Sequence, residues 1–124
     1  MASTVVRSNK RLDRTRTAAT FSNTETAVGG SITTVLDTFD CALYNRYAIQ
    51  IFAGNSTAST VKVFGSLKDN PSSDTDFTQI GDDIAVSGSS NALKAISTTP
   101  IRHLRVKAEG NGAALTVIVY AEQV

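Results

Sequence analysis

"IRHLRVKAEGNGAALTVIVYAE", Ile101 to Glu122, is the stretch that decides the fold. Leu104, Val106 and Ala108 alternate with His103, Arg105 and Lys107. That period of two predicts a strand with one face in a core and the other in water. Gly110-Asn111-Gly112 predicts a turn, because these residues tolerate left-handed backbone. The next ten residues return as a second strand, and the join reads as a hairpin. In the returning strand Leu115, Val117 and Val119 fill one face, but Ile118 and Tyr120 are apolar on the other. A sheet with one wet face alternates more strictly than this. Either the strand is central and covered on both sides, or its outer face meets another protein. Ile118 and Tyr120 are therefore candidate partner-binding residues.

The same pattern extends upstream. Val, Ile and Thr make up 35 of 124 residues, and such β-branched side chains suit a pleated, half-buried surface. "RYAIQIFA" places Tyr47, Ile49 and Ile51 on one face and Gln50 on the other. "STVKVFGS" puts Val61 and Val63 inward and Lys62 outward. "GNSTAS" between them reads as a hairpin loop. "DFTQIGDDIAVSG" predicts two short strands around Gly81, and "NALKAIS" a weaker one. One segment departs from the pattern: in "VLDTFDCALYNR", Leu36, Phe39 and Leu43 fall at helical spacing, so a short helix is an alternative there. Short strands separated by turn signals predict an all-β antiparallel sandwich, jelly-roll or immunoglobulin-like, over residues 31–124.

Residues 1–30 read differently, as an extended basic N-terminal arm closing on Gly29-Gly30. The chain carries a formal charge of +1, but Arg7, Lys10, Arg11, Arg14 and Arg16 stand against Asp13 alone in the first sixteen positions. The head is net +4 and the remainder net −3. Val5, Val6 and Leu12 are the large apolar residues among these charges, too few for the amphipathic helix of a transit peptide, and no apolar run of a secretory signal follows them. Val5, Val6, Arg7, Lys10, Arg11, Arg14 and Arg16 are candidate contacts to a protein partner. Five cations could also neutralise phosphates, but no aromatics interleave with them and the body is acidic, so nucleic acid is not the expected partner. An acidic protein surface offers carboxylates for bidentate arginine pairs.

Signals for chemistry are sparse. His103 is the one histidine, on the face expected to be wet, and Cys41 is the one cysteine. Neither sits in a nucleophile signature, and no phosphate-binding glycine loop is present. Asp69, Asp74 and Asp76 cluster in "KDNPSSDTD", and Asp82 and Asp83 in "GDD", without calcium-loop spacing. They read as a solvated loop. Trp is absent, and Tyr44, Tyr47, Phe52, Phe64 and Tyr120 read as core or interface groups. No enzyme activity, cofactor, metal or membrane span is expected; apolar runs of about four residues fall far short of the roughly 20 a span needs.

The "IQI" strand, the "VFGS" strand, "FTQIG", the proline-initiated "IRHLRV" strand, the glycine turn and the closing "TVIV" strand together resemble small β-sandwich structural proteins of tailed bacteriophages, over about residues 46–122. The resemblance implies a non-enzymatic virion component. Its foremost form is a capsid cement or decoration protein that clamps the major capsid protein or another virion protein and meets sister copies, as a homo-oligomer such as a trimer. A neck, tail or baseplate component is the alternative within that class. A carbohydrate- or host-surface-binding module is the alternative outside it, and predicts an exposed aromatic or carboxylate site on one sandwich face.

Overall fold

The computed structural model describes residues 18–42, 44–54, 58–88, 91–96, 101–110 and 113–123. Among these, nine strands form: β1 (Ala18–Val28), β2 (Thr33–Asp40), β3 (Arg46–Ala53), β4 (Ser59–Ser66), β5 (Thr78–Gln79), β6 (Ile84–Val86), β7 (Ala92–Ala95), β8 (His103–Glu109) and β9 (Ala113–Glu122). One sheet has the order β1-β9-β3-β7. The other has the order β2-β8-β4-β5, with β6 also on β4. Every pairing is antiparallel.

The alternations place the core where expected. Ile49, Ile51, Val61, Leu104, Val106, Ala108, Leu115, Val117 and Val119 are all fully buried between the sheets. Burying a Val, Leu or Ile side chain stabilises by about 1.5–3 kcal/mol each against leaving it in water, so these two facing stripes are what holds the sandwich shut.

The connections differ from expectation. β3 and β4 lie in opposite sheets, and so do β8 and β9. The strands on either side of "GNSTAS" and of "GNG" therefore do not pair with each other, so neither join is a hairpin. Turn residues show that a chain reverses; they do not show whether the two strands pair. The Gly54 N–H donates to the Ala114 carbonyl at 2.6 Å, and the Gly110 N–H to the Gly29 carbonyl at 2.8 Å, both at one end of the sandwich. First strand beside last, with successive long strands alternating between sheets, is the winding of a jelly roll, which resolves the two topologies expected. β5 and β6 both lie along β4: Gln79 faces Phe64, and Ile84 faces Val61. They are one edge strand interrupted by a two-residue bulge, where Gly81 has φ +70°.

Two expectations are corrected. No helix forms at 36–40; those residues belong to β2. Its register against β8 shifts between Thr34 and Leu36 and again between Leu36 and Phe39. Each shift inserts one residue, so Leu36 and Phe39, three apart, face the inward Val106 and Leu104. Two bulges imitate helical spacing; Leu43 lies outside the described residues. The arm boundary at residue 30 also moves. β1 pairs with β9 from Ala18–Glu122 to Val28–Ala113, and Val28 is fully buried. Phe21 stacks on Phe39 of β2 with ring centroids 4.3 Å apart, and the Asn23 side-chain amide donates to the Val35 carbonyl at 2.7 Å. The Ser/Thr-rich stretch is thus an edge strand with Thr20, Ser22 and Thr24 outward. Val5, Val6, Arg7, Lys10, Arg11, Arg14 and Arg16 lie outside the described residues.

Candidate interaction surface

The outer faces of the two sheets differ in chemistry. On the β2-β8-β4 sheet, Phe64 sits beside Arg105 and Lys62 beside Lys107. Sequence alternation assigned Arg105 and Lys107 to a wet face, but both are 8% exposed. The segment after β4 folds back over them. Arg105 pairs with Asp74 at 3.0 Å and Asp37 at 3.2 Å, donates to the Thr38 hydroxyl and the Ser72 carbonyl, and lies 4.4 Å from the Phe77 ring centroid. Lys107 pairs with the same Asp74. Lys62 opposite it is relieved by Asp83 at 2.8 Å.

These contacts set the carboxyl pKa values. Lys107, then Arg105, hold the Asp74 carboxyl below the usual carboxylate range. Asp76 is depressed chiefly by Lys68 and then by the Ser72 and Ser73 N–H groups. Asp83 is depressed by Lys62 and Gln79. Of the aspartates read as a solvated cluster, Asp74 and Asp83 are thus clasps onto sheet cations, Asp76 takes Lys68 within the loop, Asp69 takes Arg102 at 2.6 Å just ahead of β8, and Asp82 makes no ion pair among the described residues. No group of three or more His, Cys, Asp or Glu able to hold a metal occurs among the described residues. Half-buried His103 meets the Asp69 carbonyl through Nε2 at 3.2 Å. Cys41 is fully buried, donates to the Ile101 carbonyl, and burial pushes its pKa up to about 11; it is a packing group, far from a reactive thiolate.

The β1-β9-β3-β7 sheet is the opposite case. Registers align its outward residues in three rows: Thr20, Tyr120, Ala48 and Ala95; Ser22, Ile118, Gln50 and Leu93; Thr24, Thr116 and Phe52. None is Asp, Glu, Lys, Arg or His. A charged pair, Arg46 and Glu122 at 3.7 Å, bounds this face at one end. Leu93 is 68%, Tyr120 43% and Phe52 37% exposed, three of the five exposed large hydrophobic residues among those described. Strand and row spacings give a face roughly 20 Å on a side. An uncharged face of this extent, with four large apolar side chains set among Thr, Ser, Gln and Ala on an otherwise charged body, has the composition of a protein contact surface.

The structure thus brings Ile118 and Tyr120 together on one face. β9 is central, between β1 and β3, and no described element covers its outer side. Phe52, read from the sequence as a core or interface group, and Leu93 and Ala48, which were missed, complete the patch, although the alternation in "RYAIQIFA" already pointed Ala48 and Phe52 away from the core. Tyr47, in contrast, is a core group. Its hydroxyl donates to the Tyr44 carbonyl at 2.7 Å and accepts from the Ile101 N–H at 3.1 Å.

No family model matches the chain, and no curated protein does. Among solved structures, the SPBc2 prophage-derived protein YomS is similar, with a TM-score of 0.57 and 11% identity over 90% of this chain and 97% of that one. A chain of the Bacillus endospore appendages, described as disulfide-linked pili, follows with a TM-score of 0.44 and 11% identity over 90% of this chain and 93% of that one. At such identity the likeness to YomS is one of fold, and the fold it shares is the whole two-sheet sandwich.

Proposed function

We propose that the chain is a non-enzymatic structural subunit of a bacteriophage particle, in the manner of a capsid cement or decoration protein. In this reading it meets sister copies through the outer face of β1-β9-β3-β7. Residues Val5 to Arg16 reach a neighbouring subunit of the shell. The observation that carries the reading is that uncharged face, with Leu93, Ile118, Tyr120 and Phe52 outward on a body otherwise laced with ion pairs. The fold shared with a prophage-derived protein and the basic character of the first sixteen residues support it. Phe52 and Tyr120 stand at opposite rows of the face, on the order of 14 Å apart, which disfavours a single sugar-stacking platform.

Each exposed ion pair along the arm contributes under about 1 kcal/mol, so holding requires many copies acting together. Deleting residues 2–16 leaves β1 whole, because the strand begins at Ala18. The expected result is a folded variant that washes off particles at physiological salt. Retention equal to that of the intact chain overturns the clamp. Electron microscopy of labelled particles separates a capsid location from a neck, tail or baseplate one.

A further inference from the structure

The two sides of the sandwich are closed unequally. On the β1/β2 side, Phe21 stacks on Phe39 and Asn23 bridges to Val35. On the other side, next to the Gly81 bulge, a groove of about 370 Å³ opens between β7 and the β5–β6 edge. Ile49 and Val63 form its floor, and Ile80, Ile84 and Ile96 its walls. Its floor and walls are aliphatic with no aromatic platform, while Asp82, Asp83 and Lys94 make its mouth charged, so what it fits is a short aliphatic segment flanked by charge. Its volume lies in the range of real binding sites, roughly 300–1,000 Å³. Among the described residues β7 pairs only with β3, and β5–β6 only with β4. Within them both walls end in strand edges without a ladder partner, which an extended peptide can hydrogen-bond.

We propose that this groove receives the Val5-Val6 segment of a sister copy; the inference rests on the reading that the first residues act outside their own protomer, and names what they reach. Three observations choose this occupant. Val5-Val6 is the single adjacent pair of large apolar residues ahead of Phe21, and aliphatic side chains are what the groove takes. Cations follow that pair, beginning with Arg7. At the groove mouth Asp82 has no ion-pair partner among the described residues, while Lys62 holds Asp83 and Lys94 rims the β7 wall. Length is the third. Val6 to Ala18 is twelve residues, a reach of up to about 40 Å, and a domain of this size is on the order of 35 Å across. The spacer spans one molecule. The chain's own groove starts only three strands, about 14 Å, from Ala18: Ala18 aligns with Arg46 through Glu122, and the Ile96 N–H bonds the Tyr47 carbonyl. An arm kept extended, as the clamp requires, would carry Val5 and Val6 past its own groove, whereas a folded-back one would not; a chain carrying both cysteines separates the two.

Cysteine cross-linking of the full chain tests this. One preparation carries Val6→Cys and another Lys94→Cys, on the groove side of β7 beside Ile49; buried Cys41 does not compete. Mixed and oxidised, they are expected to give a disulfide-linked species of twice the chain mass containing one of each. Adding Ile84→Lys to the Lys94→Cys chain should abolish the product, with a cooperative urea transition showing that the fold persists. Absence of the cross-link overturns the proposal. So does an intramolecular disulfide as the dominant product in a chain carrying both cysteines. Particle retention of the 2–16 deletion reads the clamp separately: retention lost without any cross-link leaves the clamp standing and removes the groove.

Discussion

A single carboxylate, Asp74, holds down a loop by meeting two cations whose side chains are 9% and 11% exposed. Arg105 and Lys107 alternate with core residues as wet positions should, and nothing local to them signals cover. The partner comes from more than thirty residues away, a contact that only the folded chain brings about. Lys107 and Arg105 lower the Asp74 pKa in the folded state, so its stabilising contribution is complete above the unfolded carboxyl value, about 4. It is lost as the pH falls through the lower folded value. Asp76 and Asp83 shift the same way, held by Lys68 and Lys62. The urea midpoint is therefore expected to drop as the pH is lowered from about 5 to about 2.5, and Asp74→Asn to drop less steeply because its share is already gone. Identical slopes for the two chains refute the clasp. Arg105→Ala, which removes a buried guanidinium with its contacts, should cost about 2–4 kcal/mol in urea unfolding. A loss within about 0.5 kcal/mol, typical of surface positions, refutes its anchoring role.

At the scale of elements, simple alternation was legible in the sequence and interrupted alternation was not. Tyr47-Ile49-Ile51, Val61-Val63, Leu104-Val106-Ala108 and Leu115-Val117-Val119 keep strict period two, and all face inward. β2 breaks period twice, and its bulges turn a strand into something with helical spacing. β1 hid for another reason: its outward Thr and Ser are as polar as a linker, although Phe21 and Val28 mark its inward side. The β5–β6 edge sits between these cases, since Gly81 announced the break without its form. That glycine has φ +70° and nothing within 4 Å of where a Cβ would stand, so backbone conformation, not crowding, is what disfavours a side chain there. Gly81→Val should cost about 1–2 kcal/mol, whereas Gly81→Asn, tolerant of left-handed backbone, should cost less than half as much. Urea unfolding of both decides: equal costs would mean that strain at this bulge is not what selects glycine.

For the whole molecule, the asymmetry between the two outer faces governs how it can associate. One sheet spends its outward positions on ion pairs and a folded-back loop. The other presents three uncharged rows. Ile118 and Tyr120 revealed that face in the sequence because a central strand carried apolar residues on both sides. Its full extent needed the lateral order β1-β9-β3-β7, which no single strand encodes. At roughly 20 Å on a side, the face offers on the order of 400 Å² per copy, about half of the roughly 800 Å² per partner in a stable complex. Contacts made there would therefore be weak singly and effective in an array, which is what the proposed shell role requires. Because the face has no charge, a single introduced charge on each of two rows meets no compensating partner and must be desolvated on contact. Leu93→Glu with Phe52→Glu is expected to leave the urea midpoint nearly unchanged, both side chains being exposed, and to cut particle retention at least about tenfold, equivalent to 1.4 kcal/mol. Leu67→Glu is the matched control: Leu67 is 70% exposed but lies on the loop after β4, off this face, and retention should not change. Equal losses from the control and the double variant would mean that added charge anywhere weakens attachment, and the uncharged face would lose its claim to be the contact.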